Sequence, residues 1–580
     1  MRNLRELITN LREHNEIVDI FHHVDPYLEL AEIHRRVIAA NGPALLFHNV
    51  KGSSFPVVTN LFGSMKRMKI AFGDGPERFV EEMVTLATKE FPPTLKNLWK
   101  KKAHLKRLTQ IGTKQRKKLP IQEVTASHID HLPLITSWPE DGGPFITLPL
   151  VYTESLNGGP PNLGMYRIQR FNGKECGLHF QIGKGGGYHY YEAEKQNKPL
   201  PVSIFVGGPP ALILSAIAPL PENVPELLLA SLIQGKKLQV NKGEDFLIGE
   251  CEFALTGEAR PNERRDEGPF GDHYGYYSLK HPFPLFHLKK LYHRKNAIYP
   301  ATIVGKPRQE DYYIGEYLQK LLSPLFPVVM PTVKDLWSYG ETGFHSLGAA
   351  IIRERYSREA MTSAFRILGE GQLSLTKFLL LTDQPVDLSN FKEVLKIVLE
   401  RFNPETDLFI FSNLSIDTLD YTGPELNKGS RGVLLGLGEK KRDLPLTFQN
   451  AKYKAEPYCP GCLVVENCTP EKLTEDPDLK EWPLIILVDS IEKTLKSDTS
   501  FLWTTFTRFE PGADIYSSKN QVHRHHILYS FPIVIDARMK PSYPKELFCD
   551  EKTKELVSKE WNHYFPKGME MGDSDLGNLD

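Results

Sequence analysis

Cysteine is scarce in this chain. Six residues among 580 are too few for a disulfide framework, so a reducing compartment, the cytoplasm, is expected. An excess of one charge is missing too. Lys and Arg number 71 against 72 acidic residues, so no net field draws the protein to nucleic acid or anionic lipid. The longest apolar stretch, around Ala211 to Leu220, is too short to cross a bilayer and holds Pro219. Met1 to Ile20 lacks the uncharged core of a secretion signal. Leu4, Leu7, Ile8 and Leu11 stand there at helical spacing among charges, which predicts an amphipathic helix. Neither a Gly-x-Gly-x-x-Gly dinucleotide fingerprint nor a Walker sequence is present, and no internal repeat is visible.

The remainder divides by texture. Hydrophobic content of 41% and charged content of 25% are ordinary for globular chains, and the length predicts two or three domains. A Lys/Arg-rich segment, Lys100 to Lys118, has few periodic apolar residues and no interleaved aromatics. It reads as a solvated linker and marks a boundary. From Leu148 to about Val304, Gly, Pro and aromatic residues separate short apolar runs. Ile146 to Tyr152, Ser203 to Val206 and Ile298 to Val304 read as strands, with a helix from Glu222 to Ile233, so a mainly β domain of barrel type is expected. Further on, strand Phe378 to Thr382, helix Phe391 to Phe402 capped by Asp387 or Ser389, and strand Leu408 to Phe411 predict a βαβ unit in a parallel sheet. The expected domains are an N-terminal α/β region (1–115), a β-barrel (116–320) and a C-terminal α/β domain (321–571), with a disordered tail (572–580).

Chemistry concentrates in Glu267-Gly-Pro-Phe-Gly-Asp272-His-Tyr-Gly-Tyr-Tyr277. Pro269 and the glycines forbid a helix, so Glu267 and Asp272 are expected to project from one ordered turn. Two acids in one cleft tend to titrate apart, one ionised and one holding a proton. Alone, the motif is equally compatible with a polar surface turn. Asn162 and Arg167 lie five positions apart in Gly158-Gly-Pro-Pro-Asn162-Leu-Gly-Met165-Tyr166-Arg167, offering an amide oxygen for a cation and a planar fork for a carboxylate. In His179-Phe-Gln181-Ile-Gly-Lys184-Gly-Gly-Gly187, three glycines beside a lysine allow close approach of an anion, although such loops are more often plain turns. Glu226 offers a further hard oxygen. Cys459-Pro-Gly-Cys462 and His523-Arg-His-His526 have metal-like spacing but lack partners and are read as structural.

The ordered set Asn162…Arg167, Lys184-Gly-Gly-Gly, Glu226 and Glu267-Gly-Pro-Phe-Gly-Asp272 resembles UbiD-type decarboxylases, which use prenylated FMN. The resemblance extends from about Ala44 through the Ser415-Ile-Asp-Thr-Leu-Asp-Tyr421 segment. It implies a mixed α/β fold in which a central split β-barrel holds the flavin and a C-terminal α/β domain closes over substrate. It also implies that Asn162 and Glu226 bind Mn²⁺ (or Mg²⁺) at the cofactor phosphate, with K⁺ as a further cation. Met165, Tyr166, Arg167, His179, Phe180 and Gln181 match the segments along the flavin, and Lys184 and Gly185 the phosphate-side loop. Where some members carry a histidine metal ligand this chain has Lys184, whose ammonium cannot coordinate and instead neutralises phosphate. Arg167, Glu267 and Asp272 match the catalytic network, in which Asp272 delivers a proton, Arg167 orients the carboxylate and Glu267 tunes the pair.

Losing CO₂ from an aromatic acid leaves electron density that no side chain absorbs, so a cofactor must act as sink. The resemblance favours a polyprenylated hydroxybenzoate of ubiquinone synthesis, with a naphthoate of menaquinone synthesis or another aromatic acid as the alternative. A flavin-dependent oxidoreductase and a non-catalytic partner are the readings from other classes. The implied partners are a flavin prenyltransferase and further copies of the chain, with transient contact at the inner-membrane surface and none with nucleic acid.

Overall fold

The computed structural model describes residues 1–89, 110–181, 185–218 and 224–574. Two compact units form: Met1–Leu318 together with Lys545–Asn578, and Gln319–Pro544.

The first unit opens on helix Leu4–Glu13. Asn3 caps it by accepting from the Glu6 N–H, and its apolar stripe of Leu4, Leu7, Ile8 and Leu11 is buried as the spacing predicts. A four-stranded sheet follows in the order Ile17–Ile20, Ala44–Phe47, Val57–Thr59 and Tyr299–Pro300. The centre is a nine-stranded sheet. Its main order is Phe145–Ile146, Ile168–Arg170, Glu175–Leu178, His281–His293, Phe253–Glu267, Leu200–Val206, Pro149–Thr153 and Asn162–Gly164. All of these neighbours are antiparallel, and Val124–Ala126 pairs with the far end of His281–His293.

Two irregularities in Phe253–Glu267 shape the site. At Gly257 the register shifts, and a methyl there would overlap the His287 carbonyl, so only glycine permits this approach. Between Ala259 and Arg264 the strand bulges before rejoining its partner, and Glu267 is its last residue, opposite His281.

Several expectations need correction. Ile146 to Tyr152 is two strands at different places in the sheet, because each pairs with a different neighbour. Of Ile298 to Val304 only Tyr299–Pro300 pairs, and it does so in the small N-terminal sheet. The helix expected from Glu222 begins at Glu226, and residues 219–223 lie outside the described residues. The first half of the basic segment, through Thr109, also lies outside them. Its second half is not all linker, because Thr113–Gln115 is a strand parallel to Leu238–Lys242. The apolar stretch at Ala211 contributes helix Pro210–Ile217, and among the described residues no helix is long and apolar enough to cross a membrane.

In the second unit, one sheet runs Val333–Ser338, Leu347–Ile352, Phe378–Thr382, Lys428–Gly436, Leu408–Ser415. Its middle three strands are parallel. Leu408–Ser415 is an antiparallel edge strand, separated from Phe378–Thr382 by Lys428–Gly436, so the predicted βαβ unit with adjacent parallel strands does not form. The cap of helix Phe391–Arg401 is Asn390, because Asp387 is occupied by the Ser389 N–H and hydroxyl. A second sheet runs Lys454–Cys459, Cys462–Glu466, Leu484–Val488, Ile533–Asp536, Ile515–Tyr516. Cys459 and Cys462 face one another across its hairpin as free thiols, and His523 and His526 close a small hairpin of their own.

Candidate active site

Arg167 enters the site from the residue preceding strand Ile168–Arg170, and Glu267 from the end of the bulged strand. The Arg167 Nε and Nη2 donate to the two Glu267 oxygens at 2.7 and 2.9 Å, a bidentate fork, while Nη1 donates to Asp272 Oδ2. Nη2 also donates to Ser278 Oγ at 2.9 Å, and the guanidinium lies 4.8 Å from the centre of the Phe270 ring. Asp272 sits in a hairpin that pairs Phe270 with Ser278 and Gly271 with Tyr277. Its own N–H donates to the Tyr276 carbonyl at 3.0 Å, and its carbonyl accepts from the Gly275 N–H at 2.9 Å. The motif is therefore an ordered turn that presents both acids to one guanidinium.

The charge state departs from expectation. Burial alone raises a carboxyl pKa. Burial does push Glu267 up, but Arg167 and His179 more than reverse it and hold the group at about 2. Asp272 feels the same opposition between burial and Arg167, with the His273 ring and N–H adding to the pull, and lies well below the usual carboxylate range. Both acids are ionised, instead of dividing one proton between them, because a single cation faces the two of them. His179 is held down by burial and by Arg167. Its Nδ1 meets Glu267 Oε2 at 3.2 Å while the buried Nε2 has no hydrogen-bond partner.

Residues outside the predicted set fix this geometry. Gln169 accepts from the Gly268 N–H at 2.8 Å and donates to the Gly142 carbonyl at 2.7 Å. Asp141 accepts the Gly271 N–H at 2.8 Å through one oxygen, and the Ser137 and Trp138 N–H groups at 2.9 Å through the other. Burial pushes Asp141 up to about 7 despite these three donors. Trp138-Pro-Glu-Asp141-Gly-Gly reads as a turn from its Pro and its paired glycines, a signal present in the sequence, but its partner Gly271 lies far along the chain.

The predicted cofactor residues gather beside this cluster. Helix Gly185–Lys195 starts against Asn162, Tyr166, Phe180 and Gln181. A methyl on Gly185 would overlap Asn162 Oδ1, one on Gly186 would come within 2.9 Å of Phe180, and one on Gly187 within 2.6 Å of the Gln181 carbonyl. A helix start built of glycine lets an anion approach its backbone and the positive end of its dipole closely. Gly186 N–H donates to the Tyr166 hydroxyl at 3.3 Å. Lys184 lies outside the described residues. Asn162 and Glu226 are joined through Leu163, whose N–H donates to Glu226 Oε2 at 3.0 Å, and burial raises the Glu226 carboxyl. Asn162 Nδ2 is buried without a hydrogen-bond partner. Among the described residues no group of three His, Cys, Asp or Glu is placed to hold a metal, so an ion at Asn162 and Glu226 requires phosphate or water for most of its shell. Met165 is partly buried against the apolar core on the same side as Leu163. The orphaned polar atoms, glycine cradle and oxygen pair fit a phosphate-bearing flavin with a hard cation.

Sequence models of 3-octaprenyl-4-hydroxybenzoate carboxy-lyase match along the chain: the N-terminal domain at residues 8–87, the Rift-related domain at 113–307 and the C-terminal domain at 312–436. A Chlamydia pneumoniae protein, named as one of the subunits of 4-hydroxybenzoate decarboxylase, is 55% identical over 579 residues, covering 98% of this chain and 99% of its own. An uncharacterized protein of Archaeoglobus fulgidus is 37% identical over 424 residues, 72% of this chain and 88% of its own. Among solved structures, Sedimentibacter hydroxybenzoicus vanillic acid decarboxylase in closed form is similar in fold, with TM-score 0.67 and 22% identity over 78% of this chain and 96% of its own. The UbiD-class enzyme HmfF of Pelotomaculum thermopropionicum, in complex with FMN, has TM-score 0.62 and 22% identity over 75% of this chain and 94% of its own. With three domain models matched in order and a relative more than half identical end to end, the chain belongs to the UbiD family of carboxy-lyases.

Proposed function

We propose that this protein decarboxylates an aromatic acid, with prenylated FMN beside the Arg167–Glu267–Asp272 cluster. The observation that carries the proposal is one guanidinium gripping two buried carboxylates next to a glycine-built anion cradle. When bound, the flavin supplies the electron sink that side chains lack. Asn162 and Glu226 would hold the cation, Mn²⁺ or Mg²⁺, and the Gly185 helix start would receive the phosphate.

The proton is handled by the chain itself. Asp272 is ionised while Arg167 grips it and cannot then donate. A substrate carboxylate that draws Nη1 away removes the largest pull on Asp272, leaving burial opposed only by His273 on Oδ1, so that the pKa rises and Oδ2 takes a proton from solvent. That proton then replaces CO₂ on the substrate carbon. Glu267 keeps two donors of Arg167 and stays ionised, holding the guanidinium in position throughout.

For the substrate, the names of relatives support a hydroxybenzoate core. The Chlamydia protein is named for 4-hydroxybenzoate, the matched models for its 3-octaprenyl derivative and one structural neighbour for vanillic acid. The finer proposal is the polyprenylated acid of quinone synthesis, met by a homo-oligomer at the inner-membrane surface, with K⁺ as an accessory cation. The test is CO₂ release from 4-hydroxybenzoate, its polyprenyl derivative and a hydroxynaphthoate, using protein co-expressed with a flavin prenyltransferase. Release from the polyprenyl acid alone supports the finer proposal. NADPH oxidation without CO₂ release from any of them overturns the function.

A further inference from the structure

The two sheets of the second unit have the same topology. In each, a first strand pairs antiparallel with the second, the second, third and fifth run parallel, and the fourth closes the edge antiparallel to the fifth. The third strands, Phe378–Thr382 and Leu484–Val488, are both fully buried and both followed by an aspartate, Asp383 and Asp489. Helices Phe391–Arg401 and Asp498–Arg508 follow, capped by Asn390 and Ser497, the latter after an extra short helix, Ile491–Thr494. Arg401-Phe-Asn-Pro-Glu-Thr-Asp407-Leu408 then aligns with Arg508-Phe-Glu-Pro-Gly-Ala-Asp514-Ile515, 107 positions later.

The matched residues do the same work. Asp407 accepts the Asn403 N–H at 2.8 Å, and Asp514 the Glu510 N–H at 2.7 Å. Asp383 accepts the Gly438 N–H at 3.1 Å, and Asp489 the Met539 N–H at 2.8 Å. Lys441 reaches Asp407 at 3.4 Å, and Lys540 reaches Asp514 at 3.3 Å. This likeness is not visible in the sequence alone. Unequal insertions hid it: Tyr339 to Ser346 joins the first two strands of one copy, and only Pro460-Gly461 joins those of the other.

The copies pack reciprocally. Helix Phe391–Arg401 lies on the first hairpin of the later copy, at Lys454–Cys459, and helix Asp498–Arg508 on the hairpin turn Gly340–Thr342 of the earlier one. Phe391 and Phe501 meet near the centre, their rings 6.3 Å apart. The seam is an apolar core, with Leu380, Leu399 and Leu434 from one side and Leu484, Phe506 and Ile535 from the other. Chemistry is not duplicated. The earlier copy buries the pair Lys377–Asp420 (2.7 Å) at the entry to its third strand, where the later copy has Pro483. The C-terminal family model ends at residue 436, with the last strand of the earlier copy.

We propose that residues 333–438 and 454–540 are two copies of one α/β module, and that the later copy is a built-in partner. It covers, within one chain, the apolar face of the earlier copy, with Leu484, Phe506 and Ile535 against Leu380, Leu399 and Leu434. The occupant of that face is accordingly a copy of the module itself, kept as scaffold.

Hydrogen exchange of the full-length protein tests this. The amides of Phe378–Thr382 and Leu484–Val488 are expected to open together, with equal urea dependence and with protection independent of protein concentration. Leu399→Asp is expected to strip protection from both strands at once. Opening of the later copy while the earlier stays protected overturns the proposal, as does protection that rises with protein concentration, the mark of a partner molecule at the seam. Should Leu399→Asp not fold, the wild-type exchange pattern decides alone.

Discussion

Arg167 divides its donors between two carboxylates of different duty, and that division predicts how each responds to substitution. Asp272→Asn keeps the shape but cannot carry the proton. CO₂ release is expected to fall at least ~100-fold, the usual scale for losing a general acid, with the flavin spectrum of the loaded protein unchanged. Wild-type turnover by the loaded variant excludes Asp272 as donor. Glu267 responds through stability as well. Its folded pKa of about 2 lies below the ordinary 4.5, so the unfolded chain binds its proton more tightly. The group therefore adds stability above about pH 4.5 that is lost as the pH falls through about 2, on the order of 3 kcal/mol in total. Glu267→Gln is expected to flatten the urea midpoint across that window, and an unchanged slope rejects the assignment. Both acids were legible in the sequence because glycine and proline set them off. Their joint ionisation was not, since it depends on a guanidinium 100 positions away.

At the scale of elements, the hairpin carrying Asp272 is held by contacts that its own sequence does not show. Asp141 and Gln169 grip its backbone, and Trp138 lies against Gly271 with no space for a side chain. Gly271→Ala forces the methyl into the indole. Overpacking of this kind costs about 1–3 kcal/mol. A lower Tm is expected together with reduced kcat, because the next residue is Asp272. Retained Tm with full activity means that the indole gives way without moving the hairpin. Helix Leu4–Glu13 and strand Phe378–Thr382 were legible from periodicity and apolar runs. Strand partners were not. Leu408 to Phe411 reads as the end of a βαβ unit until Lys428–Gly436, supplied later in the chain, takes the parallel position.

For the molecule as a whole, the consequential feature is that the chain leaves the first unit at Leu318 and returns at Lys545. The returning helix Glu551–Tyr564 buries Trp561 and Tyr564 in the same core as the N-terminal and central sheets. It also answers charges on helix Glu29–Ala39. Arg36 donates to the Lys554 carbonyl at 3.0 Å and to Ser558 Oγ at 2.7 Å, and the Tyr564 hydroxyl donates to Glu29. Buried Arg35 and Arg36 each pair with buried Glu32, yet their helix would lose its cover without this segment. Nothing in an exposed-looking run such as Lys552 to Glu555 announces that closure, because the apolar positions are few and their partners stand more than 500 residues earlier. Trp561 is 6% exposed and its indole N–H donates to the Met569 carbonyl at 2.8 Å. Trp561→Ala should therefore cost about 3–5 kcal/mol, the range for deleting a buried aromatic. The loss should appear in the urea transition of the first unit, followed by exchange at Ala44–Phe47, while protection at Leu484–Val488 holds. Equal loss in both places would show that the returning helix stabilises the chain in some way other than by closing the first unit.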